Sequence, residues 1–203
     1  GIAPKIKQQI KNNAYKLIKN LNNWEILNGV KYIEGNISIS WDLDYETLIV
    51  KNWNVIITGN LNTSNKKLWI IVLKDNYKVT EDYNNKWNIY INNNVDTISA
   101  LIYADWTFRS ADSNWKSYSD NDLWKILELT WTLFTKNTIW WAVKIKWTYL
   151  LPWGEKASDY NLAEVYDLNY IRKADLCNSW KNFSFLIRYN SNNQTNPPKG
   201  FYD

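Results

Sequence analysis

The chain has 203 residues with a formal net charge of +4, and 45% of its residues are hydrophobic. This length and balance are typical of one globular domain and exclude a disordered charged tail. There is no histidine and one cysteine, Cys177, which excludes Ser-His-Asp and Cys-His catalysis, an internal disulfide and a cysteine-rich zinc site. Apolar runs such as 68–73 are far shorter than the roughly 20 residues that cross a bilayer, so we expect no membrane span in this chain.

The first segment has the spacing of an amphipathic helix. Its apolar residues recur at steps of three or four: Ile6, Ile10, Ala14, Leu17 and Leu21. This spacing predicts a helix over residues 4–21, within an N-terminal cap of residues 1–29 that covers the first turn of a repeat region. Its lysines are typical of a solvated helix face, so we expect no nucleic-acid partner.

A short motif with alternating apolar residues recurs through the middle of the chain. Its copies begin 16 to 19 residues apart, at residues 35, 53, 69, 87, 106, 124 and 141. The alternation, as in Ile37 and Ile39, predicts short strands with one buried face. A coil of about 18 residues buries that face only by stacking on its neighbours, so the repeat predicts a β-solenoid of seven coils over residues 30–150.

The predicted fold class is therefore all-β, a single-stranded β-solenoid or β-helix. The alternative is a β-sandwich, but its strands recur about every 8 to 12 residues with hairpin turns between them. The spacing fits both left-handed hexapeptide solenoids and short right-handed coils, and we expect the right-handed form. No coil carries an obvious insertion.

The C-terminal part differs in pattern from the repeats. Residues 151–203 are predicted to form a cap, in which 160–173 have helical spacing and 183–189 alternate like a strand. The tail over 191–203 is predicted to be an extended arm.

Tryptophan and glycine occur in unusual proportions. The chain has 14 tryptophans and 6 glycines, although glycine averages about 7% of residues in proteins. Gly35 starts the motif in which Trp53 and Trp87 occupy the same position, and Gly59 aligns with Trp131. Tight corners need residues with positive φ, which glycine adopts without steric cost.

The dipeptide Asn114-Trp115 supports the same interpretation, because it stands where an Asn-Gly turn is expected. We therefore hypothesise that most of the written tryptophans are glycines, encoded by UGA codons that the source organism reads as glycine. The alternative is that the tryptophans are authentic and form an aromatic ladder.

Several segments together resemble a known group of proteins. They are the repeated motifs, the corner 105–108, and segments 129–142, 163–172 and 187–201. They are similar to β-helical surface proteins of ultrasmall candidate-phylum bacteria that use UGA for glycine, and the resemblance runs from about residue 30 to the end. It implies an extracellular or cell-surface protein. The coil length is also similar to that of bactofilins, the polymer-forming cytoskeletal solenoids, but their low-complexity tails are absent.

Acidic side chains occur in three groups at predicted corners. The groups are Asp42 with Asp44, Asp120 with Asp122, and Asp105 with Arg109 and Asp112. Carboxylates in pairs can bind calcium or transfer protons, but aspartate at a corner also bonds the local backbone. We assign no catalytic, cofactor-binding or metal-binding residue and expect no cofactor.

The expected function is that of a non-catalytic structural or adhesive cell-surface protein. Its expected partners are surface glycans, other surface proteins or further copies of itself. The first alternative is a carbohydrate-binding or polysaccharide-cleaving β-helix, with a flat ladder of tryptophans at positions 53, 69, 87, 106, 124 and 141. The second is a bactofilin-like polymer-forming protein.

Overall fold

The computed structural model describes residues 17–18, 30–43, 47–62, 68–74, 86–137, 149–150, 156–157, 168, 171–172 and 184–189. This part of the chain consists mainly of β-strands, with one short 3₁₀ turn, Asp120–Asp122. The strands are β1 (Leu17–Ile18), β2 (Val30–Ile33), β3 (Ile37–Ile39), β4 (Thr47–Lys51), β5 (Val55–Ile57), β6 (Trp69–Leu73), β7 (Ile89–Ile91), β8 (Thr97–Ala104), β9 (Phe108–Ser110), β10 (Leu127–Phe134), β11 (Tyr149–Leu150), β12 (Lys156–Ala157) and β13 (Phe185–Arg188).

Most strands belong to two sheets in which all neighbouring strands are parallel. Sheet A has the order β1-β2-β4-β6-β8-β10-β13, and sheet B has the order β3-β5-β7-β9. From β2 to β9, successive strands alternate between the two sheets. Only β11 and β12 form an antiparallel pair among the described strands. The all-β class is confirmed, and the hairpin-linked antiparallel arrangement of a sandwich is not observed.

The 18-residue spacing is present in only part of sheet B. Ile37 pairs with Val55, 18 residues later, and Ile89 pairs with Phe108, 19 residues later. However, Val55 pairs with Ile89, which lies 34 residues further along the chain. The expectation that no coil carries an insertion is therefore wrong, because the chain between β5 and β7 is almost twice the repeat length.

Two copies of the predicted motif lie elsewhere than expected. The copy that begins at Trp69 forms β6 in sheet A, and the copy that begins at Trp124 precedes β10 and forms no strand in sheet B. The physical reason is that inward-facing residues alternate with a period of two in both sheets, so alternation alone does not assign a strand to a sheet.

The inward faces of the two sheets meet in one apolar cluster. Ile39, Ile57 and Ile91 stack in register in sheet B, and Val50 stacks on Val72 in sheet A. All five side chains are fully buried in this cluster. The core between the sheets is thus formed by side chains that repeat from strand to strand.

The outer face of sheet A is also apolar and buried, and we call its side chains the outer cluster. They are Val30, Tyr32, Ile49, Trp69, Ile71, Leu73, Leu101 and Trp131. The prediction of one buried face is confirmed at β3, where Ser38 is exposed between two buried isoleucines. It is wrong at β5, β6 and β7, which are buried on both faces, as is common in parallel sheets.

The terminal predictions are only partly covered by the described residues. The helix predicted over 4–21 is wrong at Leu17–Ile18, which form β1 and pair with β2, because sheet pairing outweighs local helical spacing there. The rest of that helix lies outside the described residues, as do the arm over 191–203 and most of 160–173. The strand predicted within 183–189 is confirmed as β13, which pairs with β10. No helix in the described part of the chain is both long and apolar enough to cross a bilayer.

Successive corners of sheet B approach each other most closely at Gly59. A Cβ atom at this position would lie 2.3 Å from the carbonyl oxygen of Ser40, which is far inside van der Waals contact. The N–H of the preceding Thr58 donates to the Ile39 carbonyl at 2.7 Å, which holds the two backbones at this separation. Glycine is therefore required at residue 59 by close packing of backbone on backbone.

We predict that Gly59→Ala lowers the free energy of unfolding by about 3 kcal/mol, because the clash is with backbone and cannot be relieved by a side-chain rotation. Urea unfolding followed by circular dichroism measures this change. Ser38→Ala, on the exposed face of β3, is the control and is expected to change stability by less than about 0.5 kcal/mol. Equal stabilities of the two variants would contradict the close approach.

Candidate functional site

A row of polar side chains connects the strands of sheet B at one corner. Asn36, Asn54, Asn88 and Thr107 each stand directly before the first residue of β3, β5, β7 and β9. The Asn36 Oδ1 accepts the Asn54 N–H at 2.9 Å, and the Asn54 Oδ1 accepts the Asn88 N–H at 2.9 Å. The Asn88 Oδ1 accepts both the N–H and the hydroxyl of Thr107. We call these four residues the asparagine ladder.

The ladder becomes more buried as it crosses the sheet. Asn36 is exposed, whereas Asn54, Asn88 and Thr107 are buried. The Asn88 Nδ2 also donates to the Lys86 carbonyl at 2.9 Å and to the Tyr90 hydroxyl at 3.2 Å. Buried amides need such partners, because a buried donor or acceptor without one costs about 1 to 3 kcal/mol. The ladder thus satisfies backbone groups at the point where the chain enters sheet B.

The ladder was not predicted from the sequence, although a signal for it exists. Its members occupy the second position of the repeated motif. This position is Asn after Gly35, Trp53 and Trp87, and Thr after Trp106. The copies that begin at Trp69 and Trp124 carry Ile and Lys at this position, and they are the two described copies that lie outside sheet B. The second position therefore distinguishes the strands of the two sheets.

The opposite corner, where the chain leaves sheet B, is also bridged by side chains. The Asn60 Nδ2 donates to the Asp96 Oδ1 at 2.6 Å, and the Asp96 N–H donates to the Asn60 Oδ1 at 2.9 Å. One strand earlier, the Asp42 Oδ1 accepts the Asn62 N–H at 2.6 Å. Both corners of sheet B are therefore held by side-chain amides and carboxylates that bond to the backbone next to another strand.

The acidic residues singled out from the sequence bond mostly to backbone. Asp105 accepts the Lys74 N–H and the Tyr103 hydroxyl, both at 2.8 Å. Asp112 accepts two N–H groups of its own turn at 2.9 Å. This is the ordinary role of aspartate at corners.

The other described members of the predicted acidic groups also bond to partners outside those groups. Arg109 is buried and donates to the Tyr90 hydroxyl at 2.9 Å, while Asp122 accepts the Ser119 hydroxyl at 2.6 Å. Asp44 and the side chain of Asp120 lie outside the described residues. Within the described ranges, no three acidic or sulfur- or imidazole-bearing residues are grouped so as to hold a metal ion.

Three tryptophans adopt backbone angles that favour glycine. The φ angles of Trp87, Trp115 and Trp131 are 66°, 67° and 136°. Trp53 is not among the described residues with positive φ. The residue directly before it, Asn52, has a positive φ of 65° instead. A left-handed angle costs a residue with a Cβ about 1 to 2 kcal/mol, and asparagine tolerates it better than tryptophan.

Trp131 lies in the middle of β10 rather than at a corner. Its predicted alignment with Gly59 is therefore wrong, because Gly59 follows β5 of sheet B. Trp131 pairs with Ala100, whose side chain lies in the core between the sheets, but the Trp131 side chain packs in the outer cluster. The positive φ of Trp131 accompanies this reversal, and glycine adopts such a φ without steric cost.

The predicted flat ladder of tryptophans is absent from the described positions. Trp53 and Trp124 are 41% and 59% exposed, but Trp69, Trp87 and Trp106 are buried. Trp69 also lies in the other sheet. These side chains do not form one exposed aromatic surface for a sugar chain.

Arg172 is a buried cation that fastens a later part of the chain to sheet B. Its guanidinium donates to the Ser110 hydroxyl, to the Val95 carbonyl at 2.7 Å, to the Asn92 carbonyl at 3.2 Å and to the Ile171 carbonyl at 2.9 Å. Burial lowers its pKa to about 10, so it is charged at neutral pH. The sequence gives no local signal for this contact, because the partners other than Ile171 lie 62 to 80 residues away.

The ladder leads to a graded prediction for two substitutions. Asn88→Ala is expected to lower the free energy of unfolding by about 3 kcal/mol, because it leaves buried groups of Thr107 and the buried Tyr90 hydroxyl without their amide partner. Asn36→Ala, at the exposed first rung, is expected to cost about 1 kcal/mol. Urea unfolding of both variants tests this, and equal losses would show that burial does not determine the strength of the rungs.

Comparisons with known proteins identify no relative. The chain matches no protein-family model, and no curated protein and no solved structure is significantly similar to it.

Proposed function

We propose that sheets A and B are parts of one β-solenoid and that it serves as a non-catalytic structural or adhesive component at the cell surface. The observation that carries this proposal is the asparagine ladder, which connects all four strands of sheet B at one corner. Side chains of one type that bond repeatedly to the next coil are expected where coils stack in register.

The topology supports the stacked arrangement. The chain passes alternately through sheet A and sheet B, and the strands of each sheet pair in parallel with the strand before and the strand after. The inner side chains of both sheets belong to one apolar cluster. A solenoid accounts for these features together, because each coil contributes one strand to each sheet.

The use of polar side chains supports a structural role over catalysis. The described aspartates and asparagines at the corners bond to backbone groups or to each other, and this fixes them in the architecture. Stacked coils rise about 4.8 Å per turn, so such a domain is a stiff spacer or display surface. The location outside the cell rests on the resemblance of the motifs to those of β-helical surface proteins.

Two experiments, one on surface exposure and one on sugar binding, test this proposal against the alternative of a carbohydrate-binding or polysaccharide-cleaving β-helix. Protease treatment of intact source cells is expected to release peptides of this chain, and the purified protein is expected to bind no member of a glycan array and to release no reducing sugar. Protection from the protease would refute the surface location. Glycan binding or cleavage would favour the carbohydrate-directed alternative.

We also propose that the native protein carries glycine at residues 87, 115 and 131. The positive φ angles of these three residues support it, and so does the reversed side chain of Trp131. Peptides of the native protein that span these positions are expected to have the mass of glycine. A tryptophan mass there would refute the recoding.

Paired substitutions test the backbone part of this proposal without native material. At Trp87, Trp115 and Trp131, the Gly variant is expected to be more stable than the Ala variant by about 1 kcal/mol, because alanine retains the Cβ that positive φ disfavours. At Trp106, which is not among the described residues with positive φ, Ala is expected to be the more stable by about 0.5 to 1 kcal/mol. Thermal unfolding measures each pair, and the same order at all four positions would contradict the assignment.

A further inference from the structure

Strand β9 is the last of the described strands of sheet B, and β7 pairs with one of its two edges. The hydrogen bonds to β7 are made by the odd-numbered residues in and next to β9. The Ile89 N–H donates to the Thr107 carbonyl, and the Ala111 N–H donates to the Ile91 carbonyl. Backbone groups along a strand point alternately to its two sides. Phe108 and Ser110 of β9 therefore direct their N–H and C=O groups away from β7, where a further strand would pair.

Asn137 occupies the place of that further strand at Phe108. Its Oδ1 accepts the Phe108 N–H at 2.8 Å, and its Nδ2 donates to the Phe108 carbonyl at 3.0 Å. These are the two bonds that a strand added at this edge would make with its backbone. The N–H of the adjacent Lys136 donates to the Trp106 carbonyl at 2.8 Å, which positions Asn137.

Ser110, the other outward residue, is covered by a different part of the chain. Its hydroxyl donates to the Ile171 carbonyl at 2.7 Å and accepts from the Arg172 guanidinium. The Ser110 side chain lies on the same face of β9 as that of Phe108, and the buried Arg172 guanidinium is bound to it there, so a buried charge lies beside this part of the strand. Buried charges and covering segments are devices by which proteins keep sheet edges from pairing with other chains.

We propose that Asn137 and Arg172 form a plug that closes the β9 edge against the addition of a strand from a second copy of this chain. The described part of sheet B ends at β9, where a side-chain amide completes the hydrogen bonds of Phe108 and a buried guanidinium binds the Ser110 hydroxyl. The plug thereby prevents two copies of the chain from associating through this edge.

Asn137→Ala opens the edge and tests the proposal on the full chain. Its weight-average mass in sedimentation equilibrium is expected to rise with protein concentration towards that of a dimer. The control is Asn94→Ala. Asn94 is exposed, and it bonds to the Asn92 and Lys125 side chains through its backbone N–H and carbonyl, so this variant is expected to match wild type. The same mass profile for Asn137→Ala and wild type would overturn the proposal.

Hydrogen exchange locates the opened edge and detects general unfolding. In dilute Asn137→Ala the Phe108 amide is expected to exchange about tenfold faster than in wild type, while the Val55 and Ile89 amides stay protected. Protection of Phe108 is expected to return as the concentration rises and a second chain pairs there. Self-association without this return, or an unchanged Phe108 amide, would overturn the proposal.

If Asn137→Ala does not fold, Asn137→Asp takes its place. The carboxylate still accepts the Phe108 N–H but no longer donates to the Phe108 carbonyl. The expected result is the same concentration-dependent rise in mass with a smaller amplitude. A folded Asn137→Asp variant that stays monomeric, although it no longer bonds to the Phe108 carbonyl, would overturn the proposal.

Discussion

The structure depends on one constraint: where the chain enters sheet B, buried backbone groups must find partners next to the neighbouring strand. In sheet B these partners are the side chains of Asn36, Asn54 and Asn88. Because each rung bonds to the backbone of the next, the strands of sheet B are held in register, and that register aligns the isoleucines of the core. The abundance of asparagine in this chain thus has a structural use at these corners.

Close stacking also explains where glycine is needed. The Ser40 backbone leaves no room for a Cβ at residue 59. The positive φ angles of Trp87, Trp115 and Trp131 mark other positions that disfavour a Cβ. The two observations differ in kind, since one is a contact between two segments of backbone and the other is a backbone angle of a single residue.

Alternating apolar residues were enough to predict strands and an all-β fold, because period two reflects the pleat itself. They could not assign β6 to sheet A, because its Ile70 and Val72 alternate just as Val55 and Ile57 do in β5. The corner asparagines were visible in the motif but not recognised as a ladder. Arg172 was beyond prediction, since its partners are brought together only by the tertiary fold.

The long connection between β5 and β7 has an evolutionary consequence. Val55 and Ile89 are 34 residues apart, yet the Asn54 side chain still bonds directly to the Asn88 backbone. The pairing of β5 with β7 therefore tolerates a long intervening chain. Insertions and deletions on either side of β6 are compatible with unchanged strand pairing, so lineages can vary the length of these connections.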